Sequence, residues 1–394
     1  MKFDLRPRLL LLSFAHFSTD AYSSFFSPLL PLLVNRLHLS LTQVGSLVAL
    51  AAISSSFAQP LYGWLSDHLH RPWFVAFGPV VAAVFLSSIG LAPSYGALIA
   101  LLMIGGMGVA AFHPQAAVLA SEQGKSRSLA MSIFVTGGTL GFSLGPLFAV
   151  SVAGRFGLPH TWLAAIPGLA VGALLTSWFA RVAPQARHVG RRPALIELRP
   201  VLRPLALLYV AVVSRSAVSY GFMTFLPIHL HARGYSLAAG GGLTTTYLAL
   251  GALGGFLGGW LADQWGGRKV VVLSFLGATP LYFGFLFLPD PWSLISLIAG
   301  SFVLQASLPV NVVLGQELSP RHSSTISSLL MGAAWGLGAL LIGPIGALAD
   351  HQGLRPALTA LACMLVVGLV CAISLPRAVT VSATELVPSG AGGK

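Results

Sequence analysis

The stretch LLLLSFAHFSTDAYSSFFSPLLPLLV, residues 9–34, predicts a membrane-spanning helix with one polar face. A helix rises about 1.5 Å per residue, so this stretch reaches roughly 39 Å and crosses the roughly 30 Å hydrocarbon core of a bilayer. Because a carboxylate at membrane depth costs at least about 2.5 kcal/mol, we expect Asp20 to face an internal polar pathway rather than lipid. The polar side chains recur at helical intervals; they are Ser13, His16, Asp20, Ser24 and Ser27.

The chain has the composition of a protein with many membrane spans. Of its 394 residues, 55% are hydrophobic and only 8% are charged, whereas roughly 25% charged residues is usual in soluble proteins. The net charge of +12 comes from short runs between apolar segments rather than from one solvated face, so we expect no nucleic-acid partner. Cys363 and Cys371 both fall in the last apolar segment, and we predict neither a disulfide nor a metal site.

Polar residues, prolines and glycines divide the chain into twelve predicted spans. The spans cover residues 9–34, 41–65, 72–92, 95–120, 128–152, 159–180, 204–231, 237–262, 269–288, 292–316, 324–348 and 355–375. We therefore predict an all-α membrane protein with four parts. They are an N-terminal six-helix bundle over residues 1–180, a basic loop over 181–203, a C-terminal six-helix bundle over 204–376 and a flexible tail over 377–394.

Loop charge predicts the orientation in the membrane. With the N-terminus in the cytoplasm, 17 Lys and Arg residues lie on the cytoplasmic side, 4 lie outside and Arg215 lies within a span. Cytoplasmic loops of membrane proteins carry an excess of Lys and Arg. We therefore predict that both termini, the basic loop and the tail are cytoplasmic.

The second half of the chain repeats the first half in the same direction. A shift of 196 residues places Ser40 on Ser236, and the residues GWL at 63–65 on the residues GWL at 259–261. Parallel repeats of this kind place a substrate site between two bundles related by a pseudo-two-fold axis. The repeat therefore predicts transport by alternating access.

The loop after the eighth span reads GWLADQWGGRK, residues 259–269. It resembles the G-x-x-x-D-[RK]-x-G-[RK]-[RK] signature of the major facilitator superfamily. The copy after the second span keeps the first glycine and the aspartate but replaces the base after the aspartate and the second glycine. The residues fit either a tight turn that locks neighbouring helices or a cytoplasmic conformational gate. The candidate gate residues are Gly63, Asp67, Arg71, Glu122, Arg127, Gly259, Asp263, Arg268, Glu317 and Arg321.

Two further motifs resemble the fosmidomycin-resistance branch of that superfamily. The sequence FHPQ at residues 112–115 stands where that branch commonly has F-H-P-E. Span 5 carries Gly141, Gly145 and Pro146 in a G-x-x-x-G-P element, which is typical of drug/proton antiporters, and span 11 has a version with Gly343 and Pro344. Close helix packing explains the same glycines equally well. The resemblance implies a protein of the bacterial inner membrane whose spans 1, 4, 7 and 10 line the cavity.

Four ionisable residues at membrane depth are the candidates for coupling: His16, Asp20, His113 and Arg215. Arg215 is one position from Ser216, the repeat mate of Asp20, so we expect an ion pair between Asp20 and Arg215. The pair either stabilises the fold permanently or opens when Asp20 gains a proton and Arg215 binds an anionic substrate. We assign proton coupling to Asp20, His113 and Arg215. The predicted cavity residues are His16, Asp20, Ser24, Phe112, His113, Gln115, Arg215, Tyr220, Gln305 and Asn311.

These features predict a monomeric proton-coupled antiporter that exports a small amphiphilic or anionic compound, such as a fosmidomycin-like drug. The proton gradient supplies the energy and no cofactor is expected; the partners are the substrate, protons and the lipid bilayer. Import of an organic anion with protons is the alternative within the same fold. A membrane sensor or an intramembrane enzyme is the alternative from another class. Clustered metal ligands would favour an enzyme, and the sequence offers two separated histidines and one aspartate.

Overall fold

The computed structural model describes residues 7–68, 72–123, 127–179, 199–319, 322, 326–327 and 329–376, and helices dominate these ranges. The helices of the N-terminal half are α1 (Pro7–Ser23), α2 (Phe26–Leu37), α3 (Leu41–Ala52), α4 (Gln59–His68), α5 (Trp73–Ser87), α6 (Tyr95–Ser121), α7 (Arg127–Phe156) and α8 (Ala165–Phe179). Those of the C-terminal half are α9 (Leu202–Ala232), α10 (Leu237–Trp265), α11 (Gly267–Phe287), α12 (Trp292–Gln305), α13 (Ser307–Leu318), α14 (Ala334–Leu340), α15 (Ile342–Gln352) and α16 (Leu354–Ile373).

Eleven helical stretches within the described ranges are long and apolar enough to cross a membrane. They begin at Leu41 and correspond to the second to twelfth predicted spans. The predicted first span consists instead of two shorter helices, α1 with 17 residues and α2 with 12. Pro28 explains the break, because it has no N–H group for the carbonyl of Ser24 and its ring crowds that carbonyl.

The repeat is visible in how helices begin. Ser40 accepts a hydrogen bond from the backbone N–H of Gln43 at 3.1 Å, and the Gln43 side chain accepts one from the N–H of Ser40 at 3.0 Å. These two bonds form a capping box at the start of α3. Ser236, the repeat mate of Ser40, caps α10 by accepting from the N–H of Ala239 at 3.2 Å. The same local chemistry therefore starts the second predicted span of each half.

Glycines at spacing four bring α7 against α1. A Cβ atom at Gly141 would overlap the carbonyl oxygen of Phe17, and one at Gly145 would overlap that of Ala21. Helix packing therefore accounts for these two glycines of the G-x-x-x-G-P element. Pro146 lies inside α7, which continues to Phe156.

The second copy of this element behaves differently. A Cβ at Gly343 would have room, because the nearest atom would be Ser46 Oγ at 3.9 Å. Pro344 lacks an N–H group for the carbonyl of Leu340, where α14 ends, and α15 begins at Ile342. The helix-packing role of Gly343 stays a prediction, and its Cα would lie 2.9 Å from a Cβ at Gly45 on α3. Pro344 acts as a helix break.

The N-terminal and C-terminal halves meet near the loops that follow α2 and α9. There α3 packs on α15, where a Cβ at Gly45 would overlap the carbonyl oxygen of Ile342. In the repeat-related position α7 packs on α10, and the N–H of Leu147 donates to Thr245 Oγ1 at 3.1 Å. Ser27 on α2 also donates to the carbonyl of Met223 on α9. One end of the molecule is thus held closed by contacts between the halves.

Candidate functional site

Three side chains from two helices meet in the N-terminal half. His16 and Asp20 lie one turn apart on α1, and Asp20 Oδ2 is 3.2 Å from His16 Nε2. His113 on α6 completes the group, with its Nε2 3.1 Å from Asp20 Oδ1 and 3.2 Å from His16 Nε2. We call His16, Asp20 and His113 the acid–imidazole cluster. The expectation of two separated histidines is therefore wrong, because the packing of α6 on α1 brings their rings together.

Backbone carbonyls fix both imidazole rings. His16 Nδ1 lies 2.8 Å from the carbonyl oxygen of Phe134 on α7, and His113 Nδ1 lies 2.8 Å from that of Val109, one turn earlier on α6. A carbonyl oxygen only accepts, so each Nδ1 must carry the hydrogen and each neutral ring presents a lone pair at Nε2. Three acceptors would then face one another in the acid–imidazole cluster. The short distances are favourable only when at least one further proton is shared among them.

Aromatic rings and a glycine shape the surroundings of the cluster. The ring of His16 stacks on Phe134 with a centroid distance of 4.1 Å, and the ring of Phe112 lies 5.9 Å away. A Cβ at Gly138 would lie 2.7 Å from Asp20 Oδ2 and would overlap the His16 ring. The side chains of Asp20 and His113 keep 17% and 22% of their surface exposed. The cluster is therefore packed on one side and open to small ligands on the other.

Arg215 forms a second polar centre in the C-terminal half. It is fully buried, and its NH1 donates to Gln305 Oε1 at 2.9 Å while NH2 donates to Ser216 Oγ at 3.2 Å. The guanidinium carbon lies 4.9 Å from the ring centroid of Trp335, which packs edge-on against Tyr220. Arg215 Nε has no hydrogen-bond partner. Among the described residues, no carboxylate lies within ion-pair distance of this cation.

The expected ion pair between Asp20 and Arg215 is absent from this structure. Both Asp20 oxygens contact histidines of the N-terminal half. Arg215 contacts only neutral side chains of the C-terminal half. The repeat indicated that the two residues occupy related positions on α1 and α9, but relatedness by a pseudo-two-fold axis does not require contact. The permanent structural pair is therefore excluded in this conformation.

The other predicted cavity residues divide into two groups. Phe112 adjoins the acid–imidazole cluster, and Gln305 and Tyr220 adjoin Arg215 and Trp335. Two others make hydrogen bonds within the N-terminal half, and their place in the cavity stays a prediction. Ser24 bonds the carbonyl of Ala21 at 3.1 Å, and Gln115 accepts from the N–H of Val75 at 3.2 Å and so ties α6 to α5. Asn311 is buried, and neither polar atom of its side chain has a hydrogen-bond partner.

The roles of the gate residues remain a prediction. For Arg268 the structure shows contacts within its own half. Arg268 Nε donates to the carbonyl of Leu375 at 2.7 Å, and NH2 donates to that of Ile373 at 2.5 Å, so it binds the end of α16 in its own half.

A Cβ at Gly63 would lie 3.6 Å from Pro114, and one at Gly259 would lie 3.8 Å from Pro309, in repeat-related contacts. Asp263, Glu122 and Glu317 are all exposed. Arg71, Arg321 and the side chains of Asp67 and Arg127 lie outside the described residues.

Sequence reasoning missed one contact between the halves. Asp350 near the end of α15 accepts from the N–H of Leu41 at 2.7 Å and from the N–H and hydroxyl of Thr42 at 2.8 and 2.6 Å. The only indications of this contact in the sequence are the aspartate at the end of span 11 and the hydroxyl-bearing residues at the start of span 2. No local pattern connects two residues 308 positions apart.

Comparison with known proteins agrees with this architecture. A sequence model described as Major Facilitator Superfamily matches residues 12–343 and 208–390. The chain is 30% identical over 377 residues to an uncharacterized MFS-type transporter, YfnC of Bacillus subtilis (strain 168), with 92% of this chain and 91% of that protein covered. It is 27% identical over 354 residues to the Fosmidomycin resistance protein of Escherichia coli (strain K12), with 87% and 86% covered.

A solved structure with a similar fold is a bacterial homolog of the human lysosomal transporter Spinster, in an inward-facing and occupied conformation. Its TM-score is 0.80 at 19% sequence identity, with 93% of this chain and 95% of that chain covered. This likeness supports the fold, and the two sequence relatives support the resemblance to the fosmidomycin-resistance branch. The chain is a multi-pass membrane protein that belongs to the Major Facilitator Superfamily.

Proposed function

We propose that the protein is a proton-coupled antiporter that exports a small amphiphilic or anionic compound. One observation carries the proposal: in the acid–imidazole cluster the two Nε2 atoms lie 3.2 Å apart and each lies 3.1–3.2 Å from one carboxylate oxygen of Asp20, a spacing that requires a shared proton. Loss of that proton would leave three lone pairs in repulsion and would favour separation of α1 and α6. Proton occupancy is thereby linked to helix geometry, which is what coupling requires.

The proposed orientation determines which side of the membrane the contacts between the halves close. We assign twelve crossings, with α1 and α2 together forming the first, and both termini in the cytoplasm of a bacterial inner membrane. The contacts of Asp350 with α3 and of α7 with α10 then lie at the outer ends of the helices. This conformation is accordingly closed on the outside. The two bundles over residues 1–180 and 204–376 would move against each other around the two polar centres, with residues 181–203 connecting them and residues 377–394 as a tail.

The environment of Arg215 favours a substrate that carries an anionic group. A buried guanidinium without a countercharge is unfavourable, and a carboxylate or phosphonate that bonds to its unpartnered Nε would neutralise it. Gln305 and Ser216 hold the guanidinium in place, and Trp335 and Tyr220 supply an apolar surface for the rest of the compound. Asp20 and His113 would carry protons while Arg215 holds substrate, with His16 as the third member of the proton site. No cofactor is needed, and the repeat encloses the site within one chain, so we propose a monomer.

The test is proton movement in proteoliposomes containing a pH-sensitive dye. A fosmidomycin gradient is imposed on wild type, on Asp20→Asn and on the control Asp290→Asn, whose carboxylate lies in a loop between α11 and α12. We expect protons to move opposite to the compound in wild type and in the control, and not in Asp20→Asn. If protons move in the same direction as the compound, the protein is a proton-coupled importer and the proposal of export is wrong. Absence of counterflow of fosmidomycin and of organic anions in wild type would contradict transport of this class of substrate.

A further inference from the structure

The acid–imidazole cluster has the atoms and the spacing of a transition-metal site. We propose that His16, Asp20 and His113 bind one divalent metal ion of the zinc type. One ligand atom from each residue lies within 4.8 Å of the other two, and the closest approaches between the three groups, which use both oxygens of Asp20, are 3.1–3.2 Å. Tetrahedral Zn²⁺ binds nitrogen and oxygen at about 2.0–2.2 Å, which places neighbouring ligand atoms about 3.3 Å apart. The cluster therefore needs only a small adjustment to surround the ion.

The outer contacts of the two histidines match those of metal ligands. Imidazoles that bind a metal through one nitrogen generally donate the other N–H to a carbonyl or carboxylate, which fixes the ring. Here Nδ1 of His16 donates to Phe134, and Nδ1 of His113 donates to Val109, each at 2.8 Å. Both Nε2 atoms are thereby directed at the same point next to Asp20. These carbonyl contacts are independent of the contacts within the cluster and prepare both rings for a metal.

The donor set selects the class of ion. Two imidazole nitrogens and one carboxylate suit Zn²⁺ and Co²⁺, whereas Mg²⁺ and Ca²⁺ prefer six or more oxygen ligands. Three protein ligands leave a fourth position open for water or for an anionic group of a ligand. Asp20 and His113 keep 17% and 22% of their side-chain surface exposed, so the group is not fully enclosed. The sequence concealed this site because His113 is 97 positions from His16.

A bound ion would compete directly with protons. It takes the same Nε2 lone pairs and the same carboxylate that a shared proton needs, so one atom cannot hold both at once. It would also tie α1 to α6 through bonds stronger than hydrogen bonds. We expect Zn²⁺ to act as an inhibitor of transport rather than as a cofactor. Binding itself requires only the ligand geometry and does not depend on the proposed antiport, whereas the inhibition rests on it.

The test uses the purified full-length protein without a polyhistidine tag, in detergent, titrated with Co²⁺ and then with Zn²⁺. We expect a visible absorption band of tetrahedral Co²⁺ that saturates at one ion per chain and disappears when Zn²⁺ displaces the cobalt. Asp20→Asn and His113→Gln should each weaken binding by more than the roughly 10- to 100-fold typical of losing an outer-shell partner. His160→Gln is the matched control, because His160 Nδ1 also lies 2.8 Å from the carbonyl of a residue one turn earlier, at an exposed position.

Each outcome decides the proposal. The absence of a tetrahedral Co²⁺ band in the wild-type protein would overturn the proposed metal site. A band that both cluster variants retain would also overturn it. An equal loss in His160→Gln would assign the ion to surface histidines and would also overturn it. If His113→Gln fails to elute as a folded protein in size-exclusion chromatography, Asp20→Asn and His16→Gln carry the same test. Wild-type binding without inhibition of transport would leave the metal site intact and would count against the proton-coupling role of the cluster.

Discussion

Asp350 accepts two hydrogen bonds from Thr42, one from the backbone N–H at 2.8 Å and one from the hydroxyl at 2.6 Å, and so joins α15 to the first turn of α3. A carboxylate at a helix N-terminus also interacts favourably with the helix dipole. This contact stabilises the conformation in which the halves are closed near the loops after α2 and α9. It has no equivalent at the repeat-related contact of α7 with α10, where Val152 occupies the position corresponding to Asp350.

Asp350→Asn is expected to loosen this closed end. The amide keeps one acceptor oxygen but loses the charge, and loss of a helix cap typically costs about 1 kcal/mol, which corresponds to about a fivefold shift in population. The measurement is the labelling rate of Ser46→Cys on α3 by a maleimide, in detergent and with Cys363 and Cys371 replaced by Ser. We expect labelling to become faster. Asp290→Asn serves as control, and equal rates in all three proteins would show that Asp350 does not hold the halves together.

Gly141→Ala is expected to destabilise the N-terminal half. Its Cβ would overlap the carbonyl oxygen of Phe17, and overpacking typically costs about 1–3 kcal/mol. Gly154 lies on the same helix, and a Cβ there would have no heavy atom within 4 Å. We therefore expect the unfolding temperature to fall for Gly141→Ala and to stay level or rise for Gly154→Ala. Equal behaviour of the two variants in a thermal fluorescence scan would refute the close packing of α7 on α1.

Gly138→Ala is expected to disturb the acid–imidazole cluster without removing any of its groups. The added Cβ would lie 2.7 Å from Asp20 Oδ2 and would push the His16 ring aside. Substrate-driven proton movement should fall at least tenfold, together with the affinity for Co²⁺, while Gly154→Ala leaves both unchanged. Proton movement at the wild-type rate in folded Gly138→Ala would mean that cluster geometry does not control coupling.

Arg215→Gln separates a structural role from a binding role. Removing one partner of a buried ion pair typically costs about 3–5 kcal/mol, but Arg215 has only neutral partners here, so we expect no loss in unfolding temperature. We expect the KM for an anionic substrate to rise more than tenfold in counterflow assays. Arg215→Lys should also bind weakly, because an ammonium lacks the planar fork that contacts Gln305 and Ser216. A large drop in unfolding temperature for Arg215→Gln would instead show that its contacts with Gln305, Ser216 and Trp335 stabilise the fold.

A pH effect is expected at the loop contact between Asp290 and Arg233. A hydrogen bond from Ser293 lowers the pKa of Asp290 below its ordinary value of 3.8, and further hydrogen bonds from Tyr235 and Arg233 act in the same direction. A lowered pKa means that the carboxylate stabilises the fold above pH 3.8 and that this contribution is lost as the pH falls through the folded-state pKa. The stability difference between wild type and Asp290→Asn should therefore shrink below pH 3.8. A constant difference across that range would exclude ionisation as its source.

Much of the fold followed from local sequence patterns because hydrophobic period and helix caps act over short distances. Ser94 and Ser236 cap α6 and α10 where the predicted spans begin, and the repeat anticipated the second of these. The break between α1 and α2 was harder to predict, since both Pro28 and Pro31 are visible in the sequence and α2 continues through Pro31. Whether a proline interrupts a helix depends on packing that the neighbouring helices provide.

The sequence predicted which residues belong to the candidate site, but it did not predict which of them contact one another. The interval of four between His16 and Asp20 placed both on one face, and their contact at 3.2 Å agrees with it. The contact with His113 depends on the rotation of α6 against α1, which no period in the sequence specifies. The same limitation produced the expected pair of Asp20 with Arg215. Helical spacing thus predicts which residues turn inward, and only helix packing determines which of them meet.

The break between α1 and α2 has a mechanical consequence for the cluster. A continuous helix would transmit any tilt of its outer end to His16 and Asp20, but here the chain divides between Ser23 and Phe26. The segment beyond the break bonds to α9 through Ser27, whereas the segment before it packs on α7 through Gly141. Arg36 on α2 also donates to the carbonyl of Gly90 in its own half, so α2 bonds to both halves while α1 packs within its own. A hinge at the break would let the outer end of the protein open before the proton-binding residues are pulled apart.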